Sequence, residues 1–420
     1  MARTDAIVLG AGIVGTSIAL HLTKRGMSIA LIDRAGVGEQ TSYGNAGIIE
    51  GNTVFPPAFP VELAALLRIA IKRAGEANYH LSFLPQVLPW LMAFRAASSP
   101  ERLLETARLI RPLYARAVAE HEALMMESGA AHYLRKTGWL KIYRSNRSFK
   151  ALQSEFDLAV QFGLPLQTLD TAGALALEPA LHPVFGHAVF WPQAASVSNP
   201  LAVTRAYAAR FAALGGVTLA GDARSLHRAG NGWRVETNEG GIDAPEVVVA
   251  LGPWAGDLLE PLGVKLPLMV KRGYHRHFHA QNDKSDGNAG LSRPVLDAGV
   301  GYVITPMEQG IRMTTGVEFA ARDAPPTPVQ FDRLMPKVRE LFPLGVQVEE
   351  KTWIGARPCF PDSRPVIGRA PGLGGLWLAI GHAHWGLTLG PATGRLIAEM
   401  MTDATPYCDP APYRAERFGG

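Results

Sequence analysis

Three glycines near the N-terminus have the spacing that allows a backbone to approach a phosphate group closely. Gly10, Gly12 and Gly15 form G-A-G-I-V-G directly after the apolar run 6–9. Such a turn, placed between a strand and a helix, brings N–H groups and the positive end of the helix dipole to a pyrophosphate. The spacing predicts a dinucleotide-binding turn, with a simple tight turn as the alternative.

Asp33 supports this interpretation and narrows the choice of nucleotide. It directly follows the next apolar run, 28–32, where a carboxylate can hold a ribose hydroxyl group. An acid at this position disfavours the extra phosphate of NADP, whereas NAD and FAD both remain compatible with the motif.

The loop that follows distinguishes between these two nucleotides. Residues 41–47 read T-S-Y-G-N-A-G and resemble the T-S-x-x-N-A-G of the D-amino-acid oxidase and dehydrogenase family of flavoproteins. In that family the loop passes along the diphosphate and the flavin. A plain loop rich in Gly and Asn is the alternative reading of the same residues. The resemblance favours FAD.

The most specific part of the resemblance lies near the C-terminus. Residues 355–368 contain G-A-R-P, P-D and P-V-I-G, which resemble motifs of the family, and 381–388 contain its G-H and G-x-T. Residues 247–254 resemble a strand that packs beneath the FAD, and Ala223 stands where the family has a valine beside the adenine. A helix starting near Leu387 would direct its positive end at the negative charge of a reduced flavin.

The FAD is expected to be bound non-covalently. Some glycine and sarcosine oxidases that this chain resembles attach their flavin to a cysteine, and Gly355 occupies that position here. The two cysteines, Cys359 and Cys408, predict neither a disulfide framework nor a metal site. The motifs and the resemblance together predict these FAD-binding residues: Gly10, Gly12, Ile13, Val14, Gly15, Asp33, Arg34, Thr41, Ser42, Asn45, Ala46, Gly47, Ile48, Ala223, Ala250, Gly252, Trp254, Gly355, Gly381, His382, Gly386, Leu387 and Thr388.

An arginine is the expected anchor for a substrate carboxylate, because a guanidinium offers two parallel donors. The resemblance places such an arginine after the R-P pair, so Arg364 ranks slightly ahead of Arg357 and Arg312. Each of the three could equally be a surface or structural arginine. Further substrate-binding candidates, on strand-like segments or in the G-H motif, are Tyr274, His275, Tyr302 and His382.

The resemblance implies an FAD-dependent dehydrogenase or oxidase that oxidises the C–N bond of a small amino acid, with a D-amino acid as the leading substrate. Hydride transfer to the flavin N5 would give an imine and then a keto acid. The alternative substrate is a cyclic or N-substituted amino acid such as D-proline, a hydroxyproline or sarcosine. An NAD-dependent or non-catalytic Rossmann protein is the alternative from another class. The electron acceptor, a quinone, another acceptor or O₂, stays open.

The elements that would position these residues alternate between strand and helix at both ends of the chain. This pattern predicts an α/β fold: a Rossmann-like FAD-binding domain with a parallel sheet, and a substrate domain with a mainly antiparallel sheet and helices. The expected FAD-binding domain comprises 1–55, 150–260 and 346–420, and the substrate domain 56–149 and 261–345. Residues 282–288 are expected to form a mobile loop.

Composition excludes several other classes of protein. The chain has 420 residues and a net charge of +4, with scattered basic residues, so nucleic-acid binding is not expected. The cysteine content suits the cytoplasm, and no apolar stretch is long enough to span a membrane. Residues 61–73 and 81–94 could contact a membrane at its inner face, but packing inside the second domain is the favoured interpretation.

Overall fold

The computed structural model describes residues 2–52, 55–60, 62–281 and 290–419. The predicted mobile loop at 282–288 lies outside these residues. In chain order, the α-helices of the described part are α1 (Ile13–Thr23), α2 (Leu63–Ala70), α3 (Leu84–Ala97), α4 (Pro100–Glu127), α5 (Asn146–Lys150), α6 (Gln153–Gln161), α7 (Thr171–Leu177), α8 (Pro200–Ala213), α9 (Ala255–Leu259), α10 (Val329–Leu341) and α11 (Gly386–Met401).

The strands are likewise numbered along the chain. They are β1 (Ala2–Arg3), β2 (Ala6–Leu9), β3 (Ile29–Asp33), β4 (Ile48–Ile49), β5 (Ala77–Tyr79), β6 (Leu134–Arg135), β7 (Trp139–Tyr143), β8 (Gln167–Asp170), β9 (His187–Trp191), β10 (Ala195–Val197), β11 (Val217–Ala220), β12 (His227–Ala229), β13 (Gly232–Thr237), β14 (Gly240–Ala244), β15 (Glu246–Val249), β16 (Met269–Ala280), β17 (Val295–Asp297), β18 (Tyr302–Met307), β19 (Gly310–Thr314), β20 (Val317–Phe319), β21 (Leu344–Gln347), β22 (Trp353–Cys359), β23 (Val366–Arg369) and β24 (Leu376–Ile380).

The first sheet contains the dinucleotide-binding turn. Its strand order is β11-β3-β2-β15-β24-β23, and all neighbours are parallel except β23 and β24. The four central strands, β3, β2, β15 and β24, are mostly apolar and buried, as expected for strands covered on both faces. Helices α1, α4, α8 and α11 pack on one face, and the small sheet β1-β14-β13-β12 packs on the other. The predicted parallel sheet is confirmed.

The second sheet has its strands in the order β5-β20-β16-β19-β18-β17-β7-β9-β8, with β21 and β22 also paired to β16. Most neighbours are antiparallel, as predicted, and the exceptions are the β17–β7 and β20–β5 pairs. The two-domain division stays a prediction. Strands β8 and β9, which its boundaries place in the FAD-binding domain, pair in this second sheet.

The two faces of the second sheet have different surroundings. One face packs on α10, where Tyr274 and Tyr302 lie in one apolar cluster with Phe331 and Leu334. Cross-strand partners point to the same face, and the next residue along each strand points to the opposite one. One lateral row on the other face is formed by the consecutive cross-strand partners Trp353, His275, Thr314, Val303, Leu296 and Lys141. We call these residues the cavity row.

Helices α2 and α3 differ in how they pack. Helix α3 buries Val87, Trp90 and Phe94, as predicted for a helix inside the second domain. Helix α2 does not, because Leu63 and Leu67 on it are 71% and 54% exposed. The expectation that both helices pack inside the domain is therefore wrong for α2. Among the described residues, no helix combines the length and the apolar character needed to cross a membrane.

Candidate active site

A single large cavity of about 630 Å³ extends from the dinucleotide-binding turn to the second sheet. Its volume lies in the range of sites for cofactors and small molecules. One end is lined by the glycine turn and Asp33, the middle by residues 40–42 and 44–46 and the start of α11, and the far end by all members of the cavity row except His275.

The glycine turn brings the start of α1 to this cavity. Gly10 has φ of +104°, and a Cβ on it would lie 2.5 Å from the Ala250 carbonyl oxygen. A Cβ on Gly15 would lie 1.9 Å from the Gly10 oxygen, so only glycine lets the helix pack this closely against the turn. The N-cap residue, Gly12, offers no side-chain cap, and the first turn holds no acid. The positive end of α1 is therefore available to an anion.

Asp33 organises the backbone next to this turn. Its carboxylate accepts hydrogen bonds from the backbone N–H groups of Ala11 at 2.8 Å, Ala35 at 2.7 Å and Gly36 at 3.2 Å. The side chain also lines the cavity. Asp33 therefore joins the ends of β2 and β3 and still presents a carboxylate at the position predicted for the ribose.

The loop at 41–47 is held from both sheets. The Ser42 hydroxyl accepts from the Ile13 N–H at 2.9 Å, and the Thr41 hydroxyl donates to the Ala356 carbonyl at 3.0 Å. From the second sheet, Arg312 donates to the carbonyls of Tyr43 at 3.0 Å and Asn45 at 2.7 Å. This loop is the connection between the predicted cofactor site and the cavity row.

Arg312 and His275 act on this loop and do not line the cavity. The His275 imidazole lies 3.0 Å from the Gly44 carbonyl oxygen, to which its Nδ1–H can donate. Burial lowers the pKa of Arg312 to about 10. Burial, followed by the charge of Arg312, lowers the pKa of His275 to about 2, so the imidazole is neutral. The structure therefore places these two substrate candidates in loop-supporting positions.

The start of α11 approaches the cavity from the opposite side to α1. Its N-cap, Trp385, provides no side-chain cap, and Gly386 and Leu387 line the cavity. The Thr388 hydroxyl donates to the Ile48 carbonyl at 3.1 Å, which ties the helix to the strand after the 41–47 loop. The N-termini of both helices thus face one cavity, and this arrangement fits a diphosphate at α1 and the electron-rich end of a flavin at α11.

Most of the predicted FAD-binding residues line the cavity. The exceptions are Gly15, Gly47, Gly381 and Thr388, which support the wall from behind. Gly47 and Gly381 have φ of +70° and +78°, and a Cβ on them would meet Val197 and Phe360. The predicted FAD-binding residues that line the cavity are Gly10, Gly12, Ile13, Val14, Asp33, Arg34, Thr41, Ser42, Asn45, Ala46, Ile48, Ala223, Ala250, Gly252, Trp254, Gly355, His382, Gly386 and Leu387.

Arg357 is the candidate anchor that the structure brings to the cavity. Its guanidinium donates to the carbonyls of Gly316 at 3.0 Å and Thr315 at 3.4 Å, and no carboxylate in the described part of the chain pairs with it. Burial lowers the pKa of Arg357, but an arginine remains charged at neutral pH. A buried cation without a counter-ion at a cavity wall favours binding of an anion.

Arg364 lies elsewhere. Its Nε donates to the Asp362 carboxylate at 3.0 Å, Arg417 shares the same carboxylate at 2.8 Å, and Arg364 does not line the cavity. The sequence ranks Arg364 slightly ahead of Arg357, whereas Arg357 is the one that lines the cavity, and the identity of the anchor stays a prediction. The ion pair explains the difference, because an arginine already bound to a carboxylate has fewer donors to offer a substrate.

The tyrosine candidates lie on the face of the sheet that packs on α10. The Tyr274 hydroxyl is hydrogen-bonded to the Glu318 carboxylate at 2.5 Å, and the Tyr302 hydroxyl donates to the Lys337 carbonyl at 3.3 Å. His382 faces α11, with its Nε2 3.0 Å from the Thr393 hydroxyl, and burial lowers its pKa to about 4. Tyr274, Tyr302 and His382 nevertheless line the same cavity as Arg357, although the hydroxyl groups of the two tyrosines are bonded on the α10 side.

Sequence reasoning missed the residues that the cavity row and the segment after Gly381 contribute. Lys141 is the lone charged residue of the apolar strand W-L-K-I-Y, and this isolation was a usable signal. Thr314 is two positions from the candidate Arg312, and the sequence alone does not show which face of this strand meets the cavity. The missed residues that line the cavity are Glu50, Trp139, Lys141, Glu155, Thr314, Trp353 and His384.

Trp353 forms the wall between the 41–47 loop and β22. Its ring stacks on His275, with centroids 4.7 Å apart and planes 16° apart. A Cβ on Gly44 or on Gly355 would lie about 2.1 and 2.0 Å, respectively, from this ring. The two glycines therefore make room for the indole, and the indole fills the space that a larger residue at 355 would need.

His384 faces the cavity beside these residues. It is exposed towards the cavity, and its ring lies 4.0 Å from that of Trp385. Desolvation at the cavity wall, followed by the charges of Arg357, Lys271 and Lys141, lowers the pKa of His384 from its usual value. His384 is therefore a neutral hydrogen-bonding group close to two cations of the cavity wall.

The similarity of this chain to known proteins also supports an FAD-binding site in this cavity. The family model described as FAD dependent oxidoreductase (DAO) matches residues 5–400. The chain is 31% identical to a D-amino acid dehydrogenase of Paramagnetospirillum magneticum over 94% of each protein, and 29% identical to a D-amino-acid oxidase of Bradyrhizobium diazoefficiens over 98% of each. The crystal structure of glycine oxidase from Geobacillus kaustophilus has the same fold, with a TM-score of 0.75, 23% identity and 100% coverage of both chains. The protein belongs to the DAO family of FAD-dependent oxidoreductases.

Proposed function

We propose that this protein oxidises the C–N bond of a small amino acid, with a D-amino acid as the leading substrate, using non-covalently bound FAD. The observation that carries this proposal is the Arg357 guanidinium, which lies at the wall of the FAD-sized cavity without a carboxylate partner among the described residues. An amino acid carries the complementary carboxylate. The curated relatives named above act on D-amino acids by their printed names, which supports the same substrate class.

The roles of the protein residues follow from their positions. Arg357 would bind the substrate carboxylate through two parallel hydrogen bonds, which fixes the orientation of the Cα–N bond. Trp353, Val303 and Leu296 cover the cavity from the second sheet and exclude water. When bound, FAD supplies the two-electron acceptor that no amino-acid side chain can supply.

His384 would hold the amino group of the substrate. Its imidazole is neutral, because desolvation at the cavity wall and nearby cations lower its pKa, so one ring nitrogen can accept a hydrogen bond from the substrate N–H. It also adds no positive charge that would repel an ammonium group. The substrate ammonium would release one proton to solvent before oxidation, because the neutral amine is the form that is oxidised, and a secondary cyclic amine would stop at the cyclic imine.

The experiment is anaerobic mixing of the FAD-loaded protein with a panel of D- and L-amino acids, proline derivatives and sarcosine. We expect loss of the oxidised flavin absorption with at least one D-amino acid, and faster reduction than with its L-isomer. Preference for a cyclic or N-substituted substrate would favour the second candidate of this class. If no amine on the panel reduces the flavin, the proposed function is wrong.

The electron acceptor is a quinone, another acceptor or O₂. An exposed apolar surface on α2 supports an acceptor that is dissolved in the membrane. Leu63, Leu67 and Ile71 are 71%, 54% and 59% exposed, and Lys72 and Arg73 follow them directly. Apolar residues beside basic ones are typical of peripheral contact with anionic lipid. We propose such contact at the inner face of the membrane. Co-sedimentation with anionic vesicles should fall for Leu63→Ser combined with Leu67→Ser.

A further inference from the structure

The far end of the cavity carries a charged pair that the oxidation of a C–N bond does not require. Lys141 on β7 and Glu155 on α6 both line the cavity, and the Lys141 Nζ lies 3.4 Å from a Glu155 carboxylate oxygen. Their side chains are 19% and 20% exposed. The pair belongs to an insertion between the strands of the first sheet, and it lies away from the glycine turn and the start of α11.

The Lys141–Glu155 pair and the Arg357 guanidinium lie at different places along the cavity row. The Arg357 guanidinium contacts the carbonyls of Thr315 and Gly316, directly after Thr314 of the row. Lys141 lies three strands further along that row, or about 14 Å between backbones. Arg357, His384 and Lys141 all line the same cavity, so the three groups border one space.

The Lys141 ammonium retains donors that the protein does not use. It has three N–H donors, and in the described part of the chain Glu155 is its hydrogen-bond partner, at a distance longer than a strong charged hydrogen bond. The Lys141 Nζ also lies 5.0 and 5.5 Å from the ring centroids of Trp139 and Trp191. Burial lowers the pKa of Lys141, but Glu155, Tyr143 and Glu50 outweigh it and raise the pKa, so the side chain stays charged.

A partly buried ion pair of this kind contributes little net stability to a cavity wall, because removing two charges from water costs free energy. Apolar residues of similar volume often stabilise a protein as well or better. Glu155 already balances the charge of Lys141, so a second ionic group would be repelled by one member of the pair. A neutral group that both accepts and donates a hydrogen bond matches a cation and a carboxylate side by side.

We propose that Lys141 and Glu155 form a specificity subsite for a neutral polar group, a hydroxyl or a carboxamide, at the far end of the substrate. This proposal rests on the proposed function. The substrate would place its carboxylate at Arg357 and its distal polar group at Lys141, with the aliphatic side chains of Val303 and Leu296 covering the atoms between. Amino acids with a purely aliphatic or a charged end would lose this contact.

The test uses pairs of amino acids that differ at the distal group: glutamine against norleucine, glutamine against glutamate, and 4-hydroxyproline against proline, in the configuration that the protein accepts. We expect kcat/KM to favour the neutral polar member of each pair by about tenfold or more, since a hydrogen bond to a charged group is involved. Lys141→Met should lower kcat/KM for the neutral polar member of each pair more than for its partner, and so remove most of this preference. Glu155→Gln, with an uncharged side chain of the same shape, should reduce the preference partly.

Lys136→Met is the matched control, because Lys136 also pairs with a glutamate, Glu122, but is exposed and does not line the cavity. It should retain the preference. Dissociation constants of unreactive carboxylates with and without a distal hydroxyl, measured from the flavin spectrum, provide a readout that does not depend on turnover. The proposed subsite would be wrong if Lys141→Met lowered kcat/KM equally for both amino acids of a substrate pair. It would also be wrong if the unmodified protein showed no preference within the pairs. Absence of flavin reduction by every amino acid, with the binding preference intact, would instead refute the proposed function alone.

Discussion

Arg357 and Arg364 show how a single ion pair decides what an arginine can do. Both arginines lie in the same short segment of the sequence, and each guanidinium has five N–H donors. Arg364 is held by Asp362, which also receives Arg417. Arg357 contacts backbone carbonyls and lines the cavity, so its remaining donors are available to a ligand.

This contrast predicts different effects of the same substitution. Arg357→Lys keeps the charge but loses the paired donors, so we expect kcat/KM to fall by a factor corresponding to about 2 kcal/mol or more, with flavin content unchanged. Arg364→Lys is the control and should retain kcat/KM nearly in full. Steady-state kinetics and flavin absorption measure both. The reverse ranking would return the anchor to Arg364.

Trp353 and Gly355 bear on how the flavin is held. A side chain on Gly355 would collide with the Trp353 ring, and Cys359 is buried with its Sγ 3.5 Å from the Arg357 carbonyl. We therefore predict that the purified protein releases its FAD on heat or acid denaturation. Absorption of the supernatant and the pellet after precipitation measures this. Flavin that stays with the precipitated polypeptide would indicate covalent attachment.

At the scale of elements, the β2–α1–β3 unit depends on Asp33 for both its shape and its ligand. The carboxylate receives three backbone N–H groups and also faces the cavity. Asp33→Ala should remove charge-assisted hydrogen bonds and weaken FAD binding by about tenfold or more. Titration of the apoprotein with FAD measures the affinity. Unchanged affinity would remove Asp33 from the cofactor site.

Local motifs made the first sheet and the 41–47 loop predictable from sequence, because the glycine spacing, Asp33 and the T-S-Y-G-N-A-G segment each act within one short stretch. The second sheet was harder. Tyr274 and Tyr302 line the cavity as predicted, but their hydroxyl groups are bonded on the α10 side, since alternation shows that a strand has two faces but not which face a polar group meets. Arg312 was a candidate substrate anchor, but in the structure it supports the 41–47 loop. Its partners, Tyr43 and Asn45, lie far from it in sequence, so this role was not visible there.

At the scale of the whole molecule, several buried histidines link folding to pH. Burial lowers the pKa of His21 to about 3, and of His121 and His382 to about 4. His121 on α4 also holds α11, with its Nε2 2.6 Å from the Leu387 carbonyl oxygen. An unfolded histidine titrates near a pKa of about 6.5, so below that pH the unfolded chain binds more protons than the folded one.

Stability contributed by these histidines is therefore present above about pH 6.5 and is lost as the pH falls towards about 4. We predict that Tm decreases between about pH 7.5 and about pH 5, before most carboxylates titrate. Thermal unfolding followed by circular dichroism measures this. His121→Gln, which can still contact Tyr207 and Leu387, should have a shallower dependence on pH. A constant Tm over this window would contradict the prediction.

The division of the molecule into domains also belongs to this scale. We propose that the segment containing β7, β8 and β9 belongs with the second sheet, because these strands pair there through Trp139–Tyr143, Gln167–Asp170 and His187–Trp191. The insertion between the first and later strands of the nucleotide-binding sheet would then contribute both Lys141 and Glu155 to the cavity.

The cavity row has a consequence for how substrate range can change in evolution. Thr314, Val303, Leu296 and Lys141 come from four neighbouring strands, and each could be exchanged by a single codon change without an insertion or a rebuilt loop. Because the sheet is rigid, such exchanges would lengthen, shorten or repolarise the pocket while the anchor at Arg357 stays in place. Neighbours in the row touch, so their effects would not simply add. The order in which substitutions arise would therefore decide which substrates a descendant of this protein can reach.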